Sequence, residues 1–252
     1  MAQVVVVTGA SRGIGAATAV WLSTFGASVV MVGRDEDVLA GVAERVKLGG
    51  SAVLPIAGDL THDGIAEQIA SAALARFGRI DAVINNAGVA GDVVHMSDAS
   101  LDMWRQVYEV NVFAVLSCIK ATLPALRDVR GRLVNVSSMV AGGPAESLGA
   151  YASSKASVSS LTKTLAIEEP GITALAYQPG PTRTDLMEVI LGSAPLTMSA
   201  ATADSYRRME LTGFVDLSAT TRKLALLATR VPHSWTGNVV DYTDRSIDDL
   251  DK

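Results

Sequence analysis

The chain reads as an α/β protein, with a mainly parallel sheet covered by helices on both faces, in a single domain over residues 1–252. Three observations predict this. Short β-branched runs alternate with longer helical stretches along the chain, the pattern of strands linked by crossover helices. A glycine-rich loop joins the first such run to the first helical stretch. No linker-like Pro/Gly/Ser run or internal repeat divides the 252 residues, a length at which one domain buries most of its apolar surface.

The elements follow in order. Four valines over 4–7 form the first strand, entered directly from Met1-Ala2-Gln3, which lack the charged region and cleavage site of a signal peptide. An alanine-rich helix is expected over 13–25. The run 29–32 is a second strand, followed by a helix over 35–47. A third strand over 52–56 leads to a helix over 63–77, and a fourth over 82–84 to a long helix over 101–126. The strand 133–136 precedes a helix over 151–167, and the last strands fall at 172–177 and 239–242. Such unbroken apolar runs suit strands buried on both faces. The stretch 186–213 is the least regular. It mixes Val189, Ile190, Leu191, Leu196 and Met198 with Gly192, Ser193 and Pro195, and reads as a lid or binding loop.

Composition narrows the function classes. Hydrophobic residues make up 49% of the chain, so the core is ample. The net charge is −5 and no basic patch stands out, which argues against a nucleic-acid partner. No apolar run reaches the ~18 residues of a membrane span. The one cysteine, Cys118, lies in an apolar stretch and reads as a buried small hydrophobe. A chain with no possible internal disulfide suits the cytoplasm. His62, His95 and His233 show no metal-ligand spacing, so no metal is expected. His95 is a candidate for the border of a substrate cleft. Trp21 and Trp104 read as packing residues, and Asp81 and Asp241 as stabilisers of loop ends.

Two constellations carry chemistry. Tyr151 and Lys155 stand four residues apart, one helical turn, with Ser138 thirteen residues upstream. A phenol beside an ammonium is a proton donor whose pKa the cation lowers, and a nearby hydroxyl can polarise a carbonyl. The second is the loop Thr8-Gly9-Ala10-Ser11-Arg12-Gly13-Ile14-Gly15. Its glycines permit a tight turn and close backbone approach, and the helix it opens offers unpaired N–H groups to a pyrophosphate. Arg34, after Gly33 at the end of the second strand, offers a fork for a 2′-phosphate, and Arg12 can reach the same place. NADP is therefore the expected cofactor. Asp35 and Glu36 leave NAD open, although Asp35 reads rather as the cap of the next helix.

In order and spacing these motifs resemble the short-chain dehydrogenase/reductase family, and the likeness extends over nearly the whole chain. The cofactor loop is similar to that family's Thr-Gly-x-x-x-Gly-x-Gly signature, and Asn85-Asn86-Ala87-Gly88 to its Asn-Asn-Ala-Gly motif. Asn111 sits where a helix-borne catalytic Asn is expected. Val136-Ser137-Ser138, Tyr151-x-x-x-Lys155 and Pro179-Gly180-Pro181-Thr182-Arg183-Thr184 complete the set. The resemblance implies a Rossmann-like, doubly wound seven-stranded sheet and hydride transfer with a nicotinamide cofactor. It implies that Tyr151 is the general acid, that Lys155 lowers its pKa and holds the nicotinamide ribose, that Ser138 binds the substrate oxygen and that Asn111 holds a water. Asp59 and Leu60 would flank the adenine, Asn86, Ala87 and Gly88 line the cofactor cleft, and Thr182 and Thr184 contact the carboxamide or phosphates beside Pro179 and Gly180.

The short connection Glu168-Glu169-Pro170-Gly171-Ile172 and the ending Trp235 to Tyr242 look more like the sepiapterin reductase and benzil reductase branch. That likeness implies aromatic ketones, α-diketones or pterin-like side chains. Asp185, Glu188 and Asp204 are candidates to grip such a ring, though each also reads as a solvated charge. The expectation is an NADP(H)-dependent carbonyl reductase, forming a homodimer or homotetramer through the helices at 101–126 and 151–167. The alternatives are a catalytically silent NADP-binding sensor or regulatory protein, against which the intact Asn111, Ser138, Tyr151 and Lys155 set argues, and a mainly oxidative alcohol dehydrogenase.

Overall fold

A computed structural model describes residues 2–252. Seven strands, β1 (Val4–Thr8), β2 (Ser28–Gly33), β3 (Val53–Ala57), β4 (Ala82–Asn85), β5 (Arg132–Val136), β6 (Thr173–Gln178) and β7 (Val239–Asp241), form one sheet in the order β3-β2-β1-β4-β5-β6-β7. Every pairing is parallel, so the expected mainly parallel sheet is wholly parallel. The strand order reverses between β1 and β4, and such a reversal opens a crevice at the carboxyl ends of the strands.

The helices are α1 (Gly13–Thr24), α2 (Glu36–Leu48), α3 (Ile65–Phe77), α4 (Leu101–Tyr108), α5 (Ala114–Val129), α6 (Gly149–Glu168), α7 (Asp185–Thr197), α8 (Ala200–Thr212), α9 (Leu217–Arg230) and the short α10 (Ser246–Asp249). Side chains alternate across each strand, so one valine run supplies two cores. Val5 and Val7 of β1 face Leu22 of α1, Leu39 of α2 and Leu224 and Leu227 of α9. Val4 and Val6 face the other way, with Ile69 of α3 and Ile119 and Leu126 of α5. Asp35 caps α2 by accepting from the Val38 N–H at 3.0 Å, as its position suggested. Asp81 accepts from the Val4 N–H at 2.8 Å and pairs with Arg79, and Asp241 accepts from the Thr243 N–H at 2.9 Å, so both hold loop ends.

Three expectations change. The long helix is interrupted: a π-helical turn at Glu109–Phe113 separates α4 from α5. The helical run Leu101–Val129, taken through that turn, is nevertheless long and apolar enough, by length and composition, to cross a membrane; an 18-residue window within it has a mean hydropathy of 1.4, and 50% of that window is buried inside the protein. The stretch 186–213 is not an irregular loop but the pair α7 and α8, with Pro195 in the last turn of α7. Gly192, Ser193 and Pro195 masked it because their helix propensity is low. Helix α9 was not anticipated, although Asp216 caps it through the Ser218 N–H at 2.9 Å and Leu224 and Leu227 mark its buried face.

Candidate active site

The carboxyl ends of β1 and β4 are tied together by Thr8, whose hydroxyl accepts from the Asn86 and Ala87 N–H groups at 3.0 and 3.1 Å. Asn86 donates back to the Thr8 carbonyl at 2.9 Å. This contact leaves no room for a side chain on the glycine loop. A Cβ on Gly15 would lie 2.2 Å from the Gly9 carbonyl oxygen, and one on Gly9, at φ +65°, would lie 2.9 Å from the Ala87 Cα. Helix α1 then starts with no side-chain cap and no acidic residue in its first turn, so its leading N–H groups stay open to an anion. The Ser11 Oγ is buried with no hydrogen-bond partner among the described residues. It packs against Gly33, where a Cβ would lie 2.0 Å from it. An orphaned donor beside open helix N–H groups fits a phosphate-bearing dinucleotide, with Ile14 and Gly13 on the wall of the same cleft.

At the far end of the cleft Arg34 is exposed and makes no ion pair among the described residues. Arg12 is instead bound to Asp185, at the start of α7, at 2.8 Å, with both side chains largely exposed. Asp59 turns inward on its own loop, accepting from the Thr61 N–H at 2.9 Å and hydroxyl at 2.8 Å. Those bonds hold its carboxyl below the usual range. Leu60 lines the wall beside it.

The other half of the site is built on α6. Tyr151 and Lys155 share one face, the Lys155 Nζ lying 5.9 Å from the centroid of the Tyr151 ring. Ser138, two residues past β5, lines the same cavity wall as the Tyr151 phenol. The Lys155 Nζ donates to the Val136 carbonyl at 2.8 Å, and burial lowers its pKa to about 8. Burial also pushes the Tyr151 phenol above its ordinary value, the Ser138 hydroxyl acts against this, and the Tyr206 phenol adds to the rise. The expectation that Lys155 sets the Tyr151 pKa low is therefore not met in the chain alone, because desolvation of the phenol outweighs the other influences. Asn111 stands in the π-helical turn, a feature frequent at functional sites. Its side chain accepts from the Val89 N–H at 2.8 Å and donates to the Val89 carbonyl and the Ser154 hydroxyl, each at 2.9 Å. The side chain of Asn111 thus clamps the segment after Gly88 and has no donor left for a water. Gly88 is fitted into the gap: a Cβ there would lie 3.2 Å from the Lys155 Nζ and 3.3 Å from the Asn111 Oδ1.

Both halves open into one cavity of about 1240 Å³. All the anticipated residues line it except Gly15 and Asn111, which stand just behind its wall. Pro179, Gly180, Thr182 and Thr184 form its rim, and Thr184 also caps α7 through the Met187 N–H at 3.4 Å. Helices α7 and α8 roof the inner end with Leu186, Met187, Ile190, Tyr206 and Met209. Of these, Tyr206, Met187 and Met209 escaped the sequence reading; the apolar spacing of a helix over 200–212 was the signal available. The three acidic candidates are engaged elsewhere, Asp185 with Arg12, Glu188 with Arg183 and Asp204 with Arg207. His95 borders a smaller pocket outside the main cleft, beside Met198 and Ser199.

Comparison with known proteins agrees with this geometry. Residues 3–192 match the family model described as short chain dehydrogenase. The chain is 32% identical over 255 residues to the uncharacterized oxidoreductase YIR035C of Saccharomyces cerevisiae, covering 99% of each. The crystal structure of that protein superposes with a TM-score of 0.93 over 98% of this chain and 99% of the other. L-fucose dehydrogenase of Mus musculus is 38% identical over 194 residues, 76% of this chain and 69% of that one. A variant of actinorhodin polyketide ketoreductase, crystallised with NADPH, is 25% identical with a TM-score of 0.85, over 95% of both chains. With a family match across most of its length and a near-full-length relative, the chain belongs to the short-chain dehydrogenase family.

Proposed function

We propose that the protein is an NADP(H)-dependent reductase of ketones or aldehydes, its one domain spanning 1–252, with Tyr151 as the general acid. The observation that carries this reading is the convergence of Ser138, Tyr151 and Lys155 at the inner end of the cleft whose outer end holds the glycine loop and Arg34. The bound nicotinamide would supply a hydride to the carbonyl carbon. The chain's residues manage the oxygen. The Ser138 hydroxyl and the Tyr151 phenol line the same cavity and would both donate to the carbonyl oxygen, where negative charge builds during reduction, a contribution on the order of 3 kcal/mol per donor. Tyr151 then gives up its proton. Lys155, buried behind it and held by the Val136 carbonyl, places a positive charge on the phenolate side of that transfer. Asn111 and Gly88 keep the lysine and the Val89 segment in register. The apolar roof from α7 and α8 excludes water, which strengthens each of these interactions.

Arg34 supports NADP(H) over NAD(H), as a guanidinium just past β2 with no competing ion pair among the described residues. The NADPH held by the similar ketoreductase supports the same cofactor. The apolar roof supports bulky ketones or α-diketones of the kind taken by the sepiapterin and benzil reductase branch. Exposed Phe113 at the end of the π-helical turn, Leu116 on α5 and Ile167 on α6 support a homodimer or homotetramer built on those helices, and the buried Cys118 suits a cytoplasmic protein. A mainly oxidative role is the second reading, favoured by the similarity to L-fucose dehydrogenase, since the same residues serve the reverse reaction.

NADPH oxidation against a panel of diketones, aromatic ketones, quinones, sugars and acyl thioesters tests the proposal. Turnover on at least one carbonyl is expected. The Tyr151→Phe variant should lose about 100-fold or more in kcat while binding NADPH nearly as well. Near-normal turnover by that variant would sink the mechanism.

A further inference from the structure

Tyr206 stands on α8 in the roof of the cleft, and no step above uses it. Its ring packs on the apolar cluster of Leu148, Ile190, Ala194 and Met198. It lines the same cavity as Ser138 and Tyr151. Tyr206 is half-buried, its phenol has no hydrogen-bond partner among the described residues, and burial raises its pKa. The contrast with Tyr177 is instructive: that phenol lies in the core and is satisfied by the carbonyl and hydroxyl of Thr220, at 3.0 and 2.8 Å. A half-buried phenol that lines an apolar cavity with no partner among the described residues is free to donate to a molecule that enters the cleft.

The start of α8 is tied by hydrogen bonds to the segment that leads into α6. Glu146 lies five residues before Tyr151 in the chain and accepts from the Ser199 N–H at 2.8 Å, the Ser199 hydroxyl at 2.7 Å and the Thr202 hydroxyl at 2.6 Å. Ser199 is the N-cap of α8, so one carboxylate fastens the helix carrying Tyr206 to the segment leading into Tyr151. Ser147 adds a second tie, donating to the Thr197 carbonyl at 2.5 Å.

We propose that Tyr206 determines specificity by donating a hydrogen bond to a second oxygen of the substrate, so that the preferred substrates are largely apolar carbonyl compounds with another carbonyl or hydroxyl oxygen beside the reacting carbon. This rests on the carbonyl-reductase reading above. Ser138 and Tyr151 take the oxygen that is reduced, and Tyr206 takes its neighbour. The apolar walls accept the remainder, and the flexible Met187 and Met209 let that remainder vary in shape.

The test compares wild type and Tyr206→Phe on phenylpropanedione and propiophenone, which differ in one carbonyl oxygen. The variant should lose about tenfold more in kcat/KM on the dione than on the monoketone, because a site built to bind an oxygen discriminates by that bond. An equal loss on both compounds, or no loss on the dione, overturns the proposal. Thermal unfolding of both proteins shows whether the variant is folded. If wild type reduces neither compound but does reduce other carbonyls in the panel, the proposed substrate class fails and the reductase reading stands. Silence on the whole panel overturns both.

Discussion

Lys155 holds its ammonium 2.8 Å from the carbonyl oxygen of Val136, buried and with no carboxylate paired to it among the described residues. A cation in that setting is kept for chemistry at the expense of stability. The unfolded chain retains the lysine proton up to about pH 10.5, whereas the folded chain releases it near pH 8. The folded state therefore binds fewer protons between those values, and stability rises with pH across that window. Urea unfolding of the cofactor-free protein should show wild type gaining about 1–2 kcal/mol relative to Lys155→Met between pH 8 and 9.5. At pH 7 Lys155→Met should be the more stable protein while being nearly inactive. Parallel pH profiles for the two proteins would refute this account.

Gly15→Ala should remove cofactor binding and destabilise the fold by about 1–3 kcal/mol. The new Cβ would meet the Gly9 carbonyl oxygen at 2.2 Å, and a backbone atom cannot rotate out of the way. NADPH fluorescence titration and thermal unfolding check both parts. A variant that binds NADPH normally would show that the loop is more pliable than its contacts with Asn86 and Ala87 imply.

Arg34→Asp should move the ratio of kcat/KM for NADPH over NADH towards NADH by at least about tenfold, the worth of a charge-assisted hydrogen bond to phosphate. Arg12 cannot fully compensate, because Asp185 competes for it. Asp185→Asn should accordingly tighten NADPH binding. A wild-type enzyme that uses both cofactors equally well would contradict the role given to Arg34.

Glu146→Ala should loosen the roof without touching the reacting groups. Three hydrogen bonds to the start of α8 are lost at once. Hydrogen exchange over 199–212 should accelerate, and KM should rise by up to about tenfold with a smaller change in kcat. Unchanged exchange there would show that the apolar contacts of Ile190, Met198 and Tyr206 alone hold the helices in place.

Local features were legible in the chain because they depend on residues close in sequence. The valine runs of β1 and β2, the cap at Asp35 and the one-turn spacing of Tyr151 and Lys155 all follow from backbone periodicity. The glycine loop was legible for the same reason, although its cause was not: Gly9 and Gly15 are required by Asn86 and Ala87, more than seventy residues away. The roof was misread because Gly192 and Pro195 weaken the helical pattern, whereas the packing of Ile190, Ala194 and Met198 on Leu148 overrides that local preference.

The amino-acid sequence by itself determined the order of the seven strands and of the helices as far as α6, the phosphate-facing loop and the identity of the groups able to move a proton, since side-chain chemistry and backbone preference are local properties. Only the tertiary structure decided which of those groups meet, and in what electrical state. The Arg12 pair with Asp185, the depressed pKa of Lys155, the raised pKa of Tyr151 and the second phenol from Tyr206 each depend on burial and on distances between remote segments. Those are properties of packing, which no stretch of chain possesses alone.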